Sequence, residues 1–337
     1  MRAFVVSGPG QAGVQDVPPP LAGRGQVVVD VDRVGLCGTD VEIFLGAMAY
    51  FRDGQAAYPM RLGHEWCGRV SSVGAEVESD WVGSWVTGDT MLGCGRCRRC
   101  LGGRQHLCAD RYEIGIRGGW PGALAEQLLV PACALHALPD SINGTVGAMV
   151  EPGGNALRAA QAAQPEAGRR VLVYGPGTIG LLVAQFALAA GAEVHLVGPT
   201  RESLGLARKL GVHGAWTAAE LPELPYDAVV DATNDPAVPA DALARVTPGG
   251  RVVYIGLAGG VSGIDTRDLV LKDVTAVGVL SASPGLAGAI ERFATGIIDP
   301  SGLVAATIGL DRVADALAGW RPANAGPGPK IQVDPRG

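Results

Sequence analysis

The hydrophobic pattern of the chain changes near residue 152. Before this point, short valine-rich runs such as Gln26 to Val31 and Glu65 to Val73 alternate with Gly and Pro, which is typical of β-strands joined by turns. After it, apolar strands alternate with Ala- and Leu-rich helices, the order expected of a parallel sheet covered by helices. We therefore predict a β-rich domain over residues 1–152, followed by an α/β domain.

The α/β part has a regular series of elements. We predict a first strand at Val171 to Tyr174, its helix at Ile179 to Ala190, a second strand at Val194 to Val197, and further strands at Ala228 to Asp231 and Val252 to Ile255. This series predicts a doubly wound parallel sheet of the Rossmann type over residues 153–281. Residues 282–337 contain no further unit of this kind. We expect them to return to the N-terminal domain.

The bulk composition narrows the class of protein. The chain has 337 residues, 47% of them hydrophobic and 18% charged, and a net charge of -6. This describes a globular protein without the basic cluster that nucleic-acid binding needs. The start of the chain lacks the charged and apolar regions of a secretion signal, and no segment approaches about 18 uninterrupted apolar residues. We expect a cytoplasmic protein with no membrane contact.

A glycine-rich turn follows the first α/β strand and opens its helix, with the sequence Gly175, Pro176, Gly177, Thr178, Ile179, Gly180. In a dinucleotide site, the first glycine makes the tight turn, the second admits the pyrophosphate, and the third allows close packing of helix and strand. The helix N-terminus then offers free amides to the anion. A turn without a ligand is the alternative in a chain with 51 glycines. The strand and helix around the turn favour cofactor binding.

The end of the second α/β strand bears on the choice of cofactor. An NAD site usually has Asp or Glu there, about 20 residues after the glycines, to bind the ribose 2′-hydroxyl. Here the strand ends in Gly198, Pro199, Thr200 and Arg201, so no carboxylate repels a 2′-phosphate. Thr200 and Arg201 are candidates to bind that phosphate, whereas Glu202 could still reach the ribose of NAD. We favour NADP over NAD.

Four of the seven cysteines fall within fifteen residues, at Cys94, Cys97, Cys100 and Cys108. This close spacing lets one loop surround a tetrahedral ion with four thiolates, as in a closed structural zinc site. A ferredoxin cluster fits less well, because its run ends with three residues between the last two cysteines and a following proline. Free thiols in a loop are the remaining alternative. The spacing favours structural zinc.

A second, dispersed set of candidate metal ligands consists of Cys37, His64, Glu65 and Glu151. Mixed sulfur, nitrogen and oxygen ligands that leave room for water or substrate are what an open catalytic zinc site requires. Taken singly, each residue also has a structural interpretation: a small buried thiol, a core histidine, or a carboxylate at a helix start. The residues alone leave these alternatives open.

Taken together, these motifs resemble the zinc-dependent medium-chain alcohol dehydrogenases. The chain has, in the family's order, Gly-Leu-Cys-Gly-Thr-Asp from Gly35, Gly-His-Glu from Gly63, the clustered cysteines, Glu151-Pro152 and the glycine-rich turn. The resemblance covers nearly the whole chain and is strongest to the polyol, glucose and threonine dehydrogenase branches, since Glu151 stands where the ethanol-oxidising enzymes have a third cysteine. It implies a GroES-like catalytic domain and a Rossmann domain on either side of a cleft.

The resemblance also implies roles at the catalytic metal. Cys37 and His64 would bind zinc, with Glu65 or Glu151 either bound directly or exchanging with water. Asp40 would orient His64, since metal-bound imidazoles usually need such a partner.

Further roles follow from the same resemblance. Thr39 would relay the substrate proton, but the histidine that carries it outward in many alcohol dehydrogenases is replaced by Glu42, which leaves the end of the relay open. Lys330 lies near the family's basic residue that faces the cofactor phosphates. Asn155 and the segment Val277 to Ser281 are expected beside the nicotinamide.

The function predicted in this way is hydride transfer between NADP or NAD and a secondary alcohol or its carbonyl product, with one catalytic and one structural zinc. The loop from Leu45 to Tyr58 mixes aromatic and polar side chains, which suits a sugar, polyol, cyclitol or amino alcohol better than a simple alkanol. A metal-free quinone or enone reductase of the same superfamily and a non-catalytic nicotinamide-binding protein are the alternatives. We expect a homodimer or homotetramer.

Overall fold

Two β-sheets dominate the molecule, one built mainly by the N-terminal part of the chain and one by the part that follows it. The computed structural model describes all 337 residues, with eighteen strands in four sheets. The strands are β1 (Arg2–Gly8), β2 (Gln11–Asp16), β3 (Gln26–Gly35), β4 (Met60–Arg61), β5 (Glu65–Val73), β6 (Trp85–Gly88), β7 (Met91–Leu92), β8 (Tyr112–Glu113), β9 (Gln127–Pro131), β10 (Leu135–Ala137), β11 (Arg170–Tyr174), β12 (Glu193–Val197), β13 (Gly214–Trp216), β14 (Tyr226–Asp231), β15 (Val246–Tyr254), β16 (Thr275–Gly278), β17 (Val304–Gly309) and β18 (Lys330–Asp334).

The two longest helices, α5 (Val150–Ala163) and α6 (Thr178–Ala189), follow one another near the middle of the chain. The helices are α1 (Gly38–Leu45), α2 (Ala49–Arg52), α3 (Arg98–Leu101), α4 (Gly144–Gly147), α5 (Val150–Ala163), α6 (Thr178–Ala189), α7 (Gly205–Lys209), α8 (Val238–Arg245), α9 (Thr266–Leu271), α10 (Leu286–Ala294) and α11 (Val313–Leu317). Single 3-10 turns occur at Ser79–Trp81, Gln105–Leu107, Ala132–Ala134, Ala218–Glu220, Ser283–Gly285, Ser301–Leu303 and Leu310–Arg312. None of the helices combines the length and hydropathy needed to cross a bilayer.

The sheet of the first half contains seven strands, in the order β10-β6-β5-β3-β18-β17, with β9 also paired to β3. Strand β3 is antiparallel to β5, with Gly35 opposite Glu65, and antiparallel to β18, with Gly35 opposite Gln332. The last strands of the chain therefore complete the N-terminal sheet. This register brings three distant segments, the end of β3 and the starts of β5 and β18, to one point.

The sheet of the second half is wholly parallel, in the order β13-β12-β11-β14-β15-β16. Side chains of β11 alternate between its two faces: Val171 and Val173 join the core beneath α5 and α6, whereas Leu172 and Tyr174 join the core of the opposite face. A parallel sheet covered on both faces is the architecture that the continuous apolar runs predict. The predicted fold class, Rossmann sheet plus GroES-like β-domain, is confirmed.

The connections between the two sheets differ from those predicted from the sequence. The composition shift near residue 152 falls inside the continuous helix α5, not in a linker. Residues 282–294, expected to begin the return, instead pack on α5: an atom added at Gly153 Cα would lie 2.6 Å from the ring of Phe293. The return to the N-terminal sheet begins only at β17. Small residues along α5 make this close packing possible, a feature that hydrophobic periodicity does not reveal.

Candidate active site

The four clustered cysteines form one compact group. The sulfur of Cys97 lies 3.5 Å from that of Cys100 and 3.8 Å from that of Cys108, and the sulfurs of Cys94 and Cys100 are 4.0 Å apart. All four sulfurs lie within 4.8 Å of one another. Such spacing fits four thiolates around one tetrahedral ion. We refer to residues 94–108 as the cysteine lobe.

Backbone amides in the cysteine lobe favour thiolates. The N–H groups of Arg96 and Cys97 lower the pKa of Cys94 to about 6. Amides of the following turn, first of all that of Cys100, also lower the pKa of Cys97. Cys100 behaves oppositely: burial and the neighbouring sulfurs raise its pKa to about 12. Without an ion, Cys100 thus retains a proton that a bound cation would displace, while amides already favour thiolates at Cys94 and Cys97, so the donor set fits zinc.

The second group joins Cys37, His64 and Glu65, whose ligand atoms also lie within 4.8 Å of one another. Cys37 is the N-cap of α1, and His64 and Glu65 stand at the start of β5. His64 and Glu65 are buried, whereas Cys37 is half-buried, so the group opens towards Cys37. A mixed donor set with one accessible side fits a zinc ion that retains an exchangeable position.

Asp40 connects the two segments of this group. Its Oδ2 accepts a 2.9 Å hydrogen bond from the backbone N–H of Cys37, and its Oδ1 accepts one of 3.3 Å from Gly63. The same Oδ1 lies 3.6 Å from Nδ1 of His64. Burial acts to lower the pKa of His64, but Asp40 and, after it, Cys37 hold it well above its usual value. Asp40 thus stands where a partner orienting the imidazole is required.

Lys330 corrects one expectation from the sequence. Its ammonium is buried and donates to both carboxylate oxygens of Glu65, at 2.8 and 2.6 Å, and to the carbonyl of Leu36 at 2.9 Å. Lys330 therefore belongs to the Cys37 group, and its three donors are not directed at cofactor phosphates. The cause is the pairing of β18 with β3, which sets the first residue of β18 beside the start of β5.

Glu151 lies close to this group without joining it. It is buried in the first turn of α5, and its Oε1 accepts a 2.9 Å hydrogen bond from Nδ2 of Asn155. Burial raises the pKa of Glu151 to about 7, while His64 opposes and Glu65 adds to this increase. The structure thus places the Asn155 amide on Glu151, one turn away. Both residues lie on the helix that connects the two halves.

Thr39 and Glu42 are half-buried residues of α1, the helix that Cys37 caps. Thr39 is half-buried in the first turn of α1, two residues after Cys37, and Glu42 follows one turn later, where residues i and i+3 are neighbours. Burial raises the pKa of Glu42. A hydroxyl and a carboxyl thus follow the candidate ligand Cys37 along one helix.

The glycine-rich turn has the close contacts expected of a dinucleotide site. Gly175 has φ of 101°, and a Cβ at Gly180 would lie 1.9 Å from the carbonyl oxygen of Gly175. Only glycine fits at these two positions. Gly177 is the N-cap of α6 and has no atom within 4 Å of its Cβ position, so its backbone is open to a ligand, and Thr178 and Ile179 begin the helix.

The end of β12 lies beside this turn. A Cβ at Gly198 would be 3.0 Å from Cγ of Pro176. Thr200 Oγ1 accepts a 3.1 Å hydrogen bond from the N–H of Ser203, and Arg201 forms an exposed ion pair with Glu220, donating from Nε at 2.9 Å. Gly198, Thr200 and Arg201 are thus grouped near the glycine-rich turn, although Arg201 already has a carboxylate partner.

The loop from Leu45 to Tyr58 is more tightly packed than its composition suggests. Met48, Tyr50, Phe51 and Tyr58 contact the N-terminal core, and the rings of Phe51 and Tyr58 stack at 4.4 Å. The hydroxyl of Tyr50 lies 3.2 Å from Oε1 of the buried Glu113. Glu113 was not predicted as a site residue. A lone acid in a two-residue strand has no sequence signal of burial.

The sequence also failed to reveal a polar contact between the two halves. Ser283 Oγ donates a 2.6 Å hydrogen bond to Oδ1 of Asp89, and Gln105 Nε2 donates a 2.7 Å bond to Oδ2 of the same carboxylate. Gln105 belongs to the cysteine lobe. Ser283 follows the segment expected beside the nicotinamide, where Ser281 has φ of 76°. Asp89 thus joins the lobe to the segment that leaves the Rossmann sheet.

Comparison with known families agrees with this architecture. Residues 23–140 match the alcohol dehydrogenase GroES-like domain, and residues 178–295 match the family described as zinc-binding dehydrogenase. L-Threonine 3-dehydrogenase of Solibacter usitatus is 34% identical over 294 residues, which cover 83% of this chain and 84% of the relative. Together, fold and relatives define an alcohol-oxidising or carbonyl-reducing enzyme. The chain belongs to the zinc-dependent medium-chain alcohol dehydrogenase family.

Solved structures resemble the chain over its whole length. A protein of Escherichia coli CFT073, described as a short chain alcohol dehydrogenase in complex with NADH, superposes with a TM-score of 0.90 at 25% identity over 99% of both chains. A zinc-binding dehydrogenase of Sinorhizobium meliloti 1021 bound to NADP gives a TM-score of 0.89 at 27% identity, also over 99% of both chains. The family resemblance inferred from the motifs is confirmed, and a nicotinamide cofactor is supported.

Proposed function

We propose that the chain is a zinc-dependent dehydrogenase that transfers hydride between a secondary alcohol, or its carbonyl product, and NADP. The observation that carries this proposal is the meeting of Cys37, His64 and Glu65 from separate segments, in a buried group that is open on the Cys37 side. Zinc, when bound there, would supply Lewis acidity to the substrate oxygen and lower the pKa of its hydroxyl. The nicotinamide would accept or return the hydride.

The protein's own residues set the charge at this site. Cys37 and His64 are the proposed permanent ligands. Lys330 compensates the negative charge of Glu65. Burial raises the pKa of Glu151 to about 7, so this carboxyl is partly protonated at neutral pH. We propose that Glu65 or Glu151 supplies the oxygen ligand, bound directly or exchanging with water. Asp40 keeps the imidazole of His64 oriented.

A proton released by an alcohol needs a route to solvent. We assign its first step to the hydroxyl of Thr39, which can accept one proton while it donates another. Glu42 lies one helical turn further out and is the proposed recipient in place of the family's histidine. Since burial raises the pKa of Glu42, its carboxylate is better able to take up a proton than an exposed one.

We infer a preference for NADP from the end of β12. Gly198 carries no side chain that would repel a 2′-phosphate, and Thr200 and Arg201 follow it. The side chain of Arg201 is 77% exposed, so a phosphate can reach it and replace or join Glu220 as its partner. The Sinorhizobium structure with NADP supports this choice, whereas the Escherichia structure with NADH keeps NAD as the alternative.

The choice of cofactor is tested by Arg201→Ala. We expect NADP to bind about ten-fold to a hundred-fold more weakly, because a charge-assisted contact is lost, and NAD to bind almost unchanged. Dissociation constants for both cofactors are measured by fluorescence titration, with Arg267→Ala as a control on the same domain. A wild-type preference for NAD that survives Arg201→Ala would show that Glu202 or another group binds the ribose.

The substrate class that we propose is a polyol, sugar, cyclitol or amino alcohol. The resemblance to L-threonine 3-dehydrogenase, whose named substrate is an amino acid with a secondary hydroxyl next to its amino-bearing carbon, supports this class. The test is a panel of these alcohols and a simple alkanol, assayed with both cofactors, alongside the zinc content of the purified chain. We expect turnover of a polyfunctional secondary alcohol and two zinc ions per chain. Turnover of an enone by a zinc-free chain would instead identify a metal-free reductase.

A further inference from the structure

A cavity of about 880 Å³ lies in the N-terminal half, away from the candidate metal ligands. It is bounded by β1, β2 and β4 on one side and by the loop of residues 116–121 on the other. It is lined neither by the cysteine lobe, nor by the group of Cys37, His64 and Glu65, nor by the glycine-rich turn. Its volume is within the range of cavities that hold small molecules. We call it the Arg61 cavity.

The charge of the Arg61 cavity is one-sided. Its twenty lining residues include two arginines, Arg61 and Arg117, and no Asp or Glu. Met1 also lines it, and its N-terminal ammonium donates a 2.8 Å hydrogen bond to the carbonyl of Val17. Arg117 is compensated, because its Nη1 lies 3.7 Å from Oε1 of Glu113 and its guanidinium stacks over the ring of Tyr50. Arg61 has no such partner: its Nε is buried without a hydrogen bond, and it takes part in none of the ion pairs of the chain. Arg61 is thus the cation of the cavity whose side chain has no partner within the chain.

An unpaired guanidinium in a half-buried position reduces the stability of the fold. Burial lowers the pKa of Arg61 only to about 10, so the group remains charged at neutral pH. The position itself does not demand a polar side chain, since the backbone of Arg61 is fixed by the pairing of Val5 with Arg61 and by a 2.8 Å bond from the N–H of Gly122 to its carbonyl. Because the Arg61 guanidinium has no partner within the chain, we expect an anionic ligand as its partner.

We propose that the Arg61 cavity binds a small amphipathic carboxylate, with the carboxylate on Arg61 and the apolar body against the cavity wall. A single uncompensated guanidinium matches a single negative charge, and its planar fork matches the two oxygens of a carboxylate. Nine of the lining residues are hydrophobic, among them Met60 and Trp120, which suits an alkyl or aryl body. Gln15 and Ser7 add neutral polar groups near the opening. This site does not depend on the proposed catalytic function.

The test is calorimetric titration of the zinc-loaded full chain with sodium octanoate. We expect one saturable site per chain, with binding at least about ten-fold weaker for octanamide and for Arg61→Met, because each removes one partner of a charge-assisted contact. Arg267→Met, which removes an exposed arginine of the other half, is the matched control and should bind octanoate like the wild type. Arg61→Met is expected to fold at least as stably as the wild type without ligand, since it removes the uncompensated charge.

Several results would overturn the proposal. They are the absence of saturable binding, equal affinity of octanoate for Arg61→Met and the wild type, and inorganic phosphate that competes as strongly as octanoate. Equal affinity for Arg61→Met would mean that octanoate occupies another site, such as the candidate zinc centre. Should Arg61→Met fail to fold, Arg61→Gln replaces it with the same expected loss.

Discussion

The two candidate metal sites are opposites in the way they are built. The cysteine lobe takes all four ligands from fifteen consecutive residues, with Gly95 and Gly103 at positive φ to turn the chain around them. The site at Cys37 and His64 takes its parts from α1, β5, α5 and β18, and Lys330 meets Glu65 across 265 residues of chain. The first is contained in one loop. The second requires segments from both ends of the chain to meet in the N-terminal sheet.

Their electrostatics differ in the same way. The sulfurs of the cysteine lobe are stabilised by backbone amides of their own loop, and four thiolates around one dication leave a net negative centre that is best kept near solvent. At the Cys37 site the charged groups are buried, and side chains from other segments compensate them: Asp40 lies beside His64, and Lys330 pairs with Glu65. The local site is suited to holding a fold together. The dispersed site is suited to changing charge during a reaction, because its surroundings are fixed beforehand.

This contrast explains what the sequence could reveal. The cysteine lobe is predictable from spacing alone, and the parallel sheet from the alternation of strand and helix, since both depend on near neighbours in the chain. The dispersed set needed the family resemblance to bring Cys37 and His64 together. Lys330 was misplaced even so, because its position depends on which strand β18 pairs with, a long-range choice that leaves no local pattern.

The domain boundary shows the same limit. The shift in composition near residue 152 is real, but α5 passes through it as one helix. Contacts of α5 with α10 depend on Gly153 and Gly154, whose small size matters only once Phe293 and Ala282 are known to face them. The Arg61 cavity and the Asp89 contact escaped prediction for the same reason. Each is made by residues that carry no motif.

The largest expected effect tests whether the dispersed site is required for turnover. His64→Ala is expected to lower kcat by about a thousand-fold or more, because it removes a ligand of the ion that activates the substrate oxygen, an effect of several kcal/mol. Cofactor affinity should stay within about two-fold, since the dinucleotide turn lies on the other sheet. Steady-state kinetics and cofactor titration measure the two quantities. Undiminished turnover in His64→Ala would refute the catalytic zinc.

Lys330→Met tests whether charge compensation holds the dispersed site together. Removing the ammonium leaves Glu65 buried without its partner, which typically costs about 3 to 5 kcal/mol of folding free energy. The double variant Lys330→Met with Glu65→Gln should regain part of that loss, because the unpaired charge is then absent. Urea unfolding of the wild type and both variants provides the comparison. Equal stability of all three would mean that the Lys330 contact with Glu65 contributes nothing.

Cys97→Ser is the corresponding test of the cysteine lobe. We expect zinc content to fall from two ions to one per chain and Tm to fall by about 5 °C, because metal binding and local folding are coupled. The kcat of the remaining folded enzyme should change by less than about ten-fold. Cys133→Ser, at an exposed cysteine outside the lobe, is the control. A variant with full zinc content and an unchanged Tm would contradict a structural ion at these four sulfurs.

The smallest expected effect concerns the Asp89 contact, which links the cysteine lobe to Ser283 in the second half of the chain. Ser283→Ala removes the hydroxyl that donates to Asp89, while Gln105 and the N–H of Met91 still hold the carboxylate. Because the partner keeps two donors, we expect a loss of only about 1 kcal/mol, a full zinc content and a cofactor dissociation constant raised by a few-fold. Ser141→Ala, which removes a weak and exposed contact of 3.4 Å to Ala294, is the matched control.

If Ser283→Ala lowers zinc content instead, the lobe depends on the second half of the chain, and its formation is not a local event. If it changes neither stability nor cofactor affinity, Asp89 is satisfied by the lobe alone, and its contact with Ser283 does not help to join the two halves.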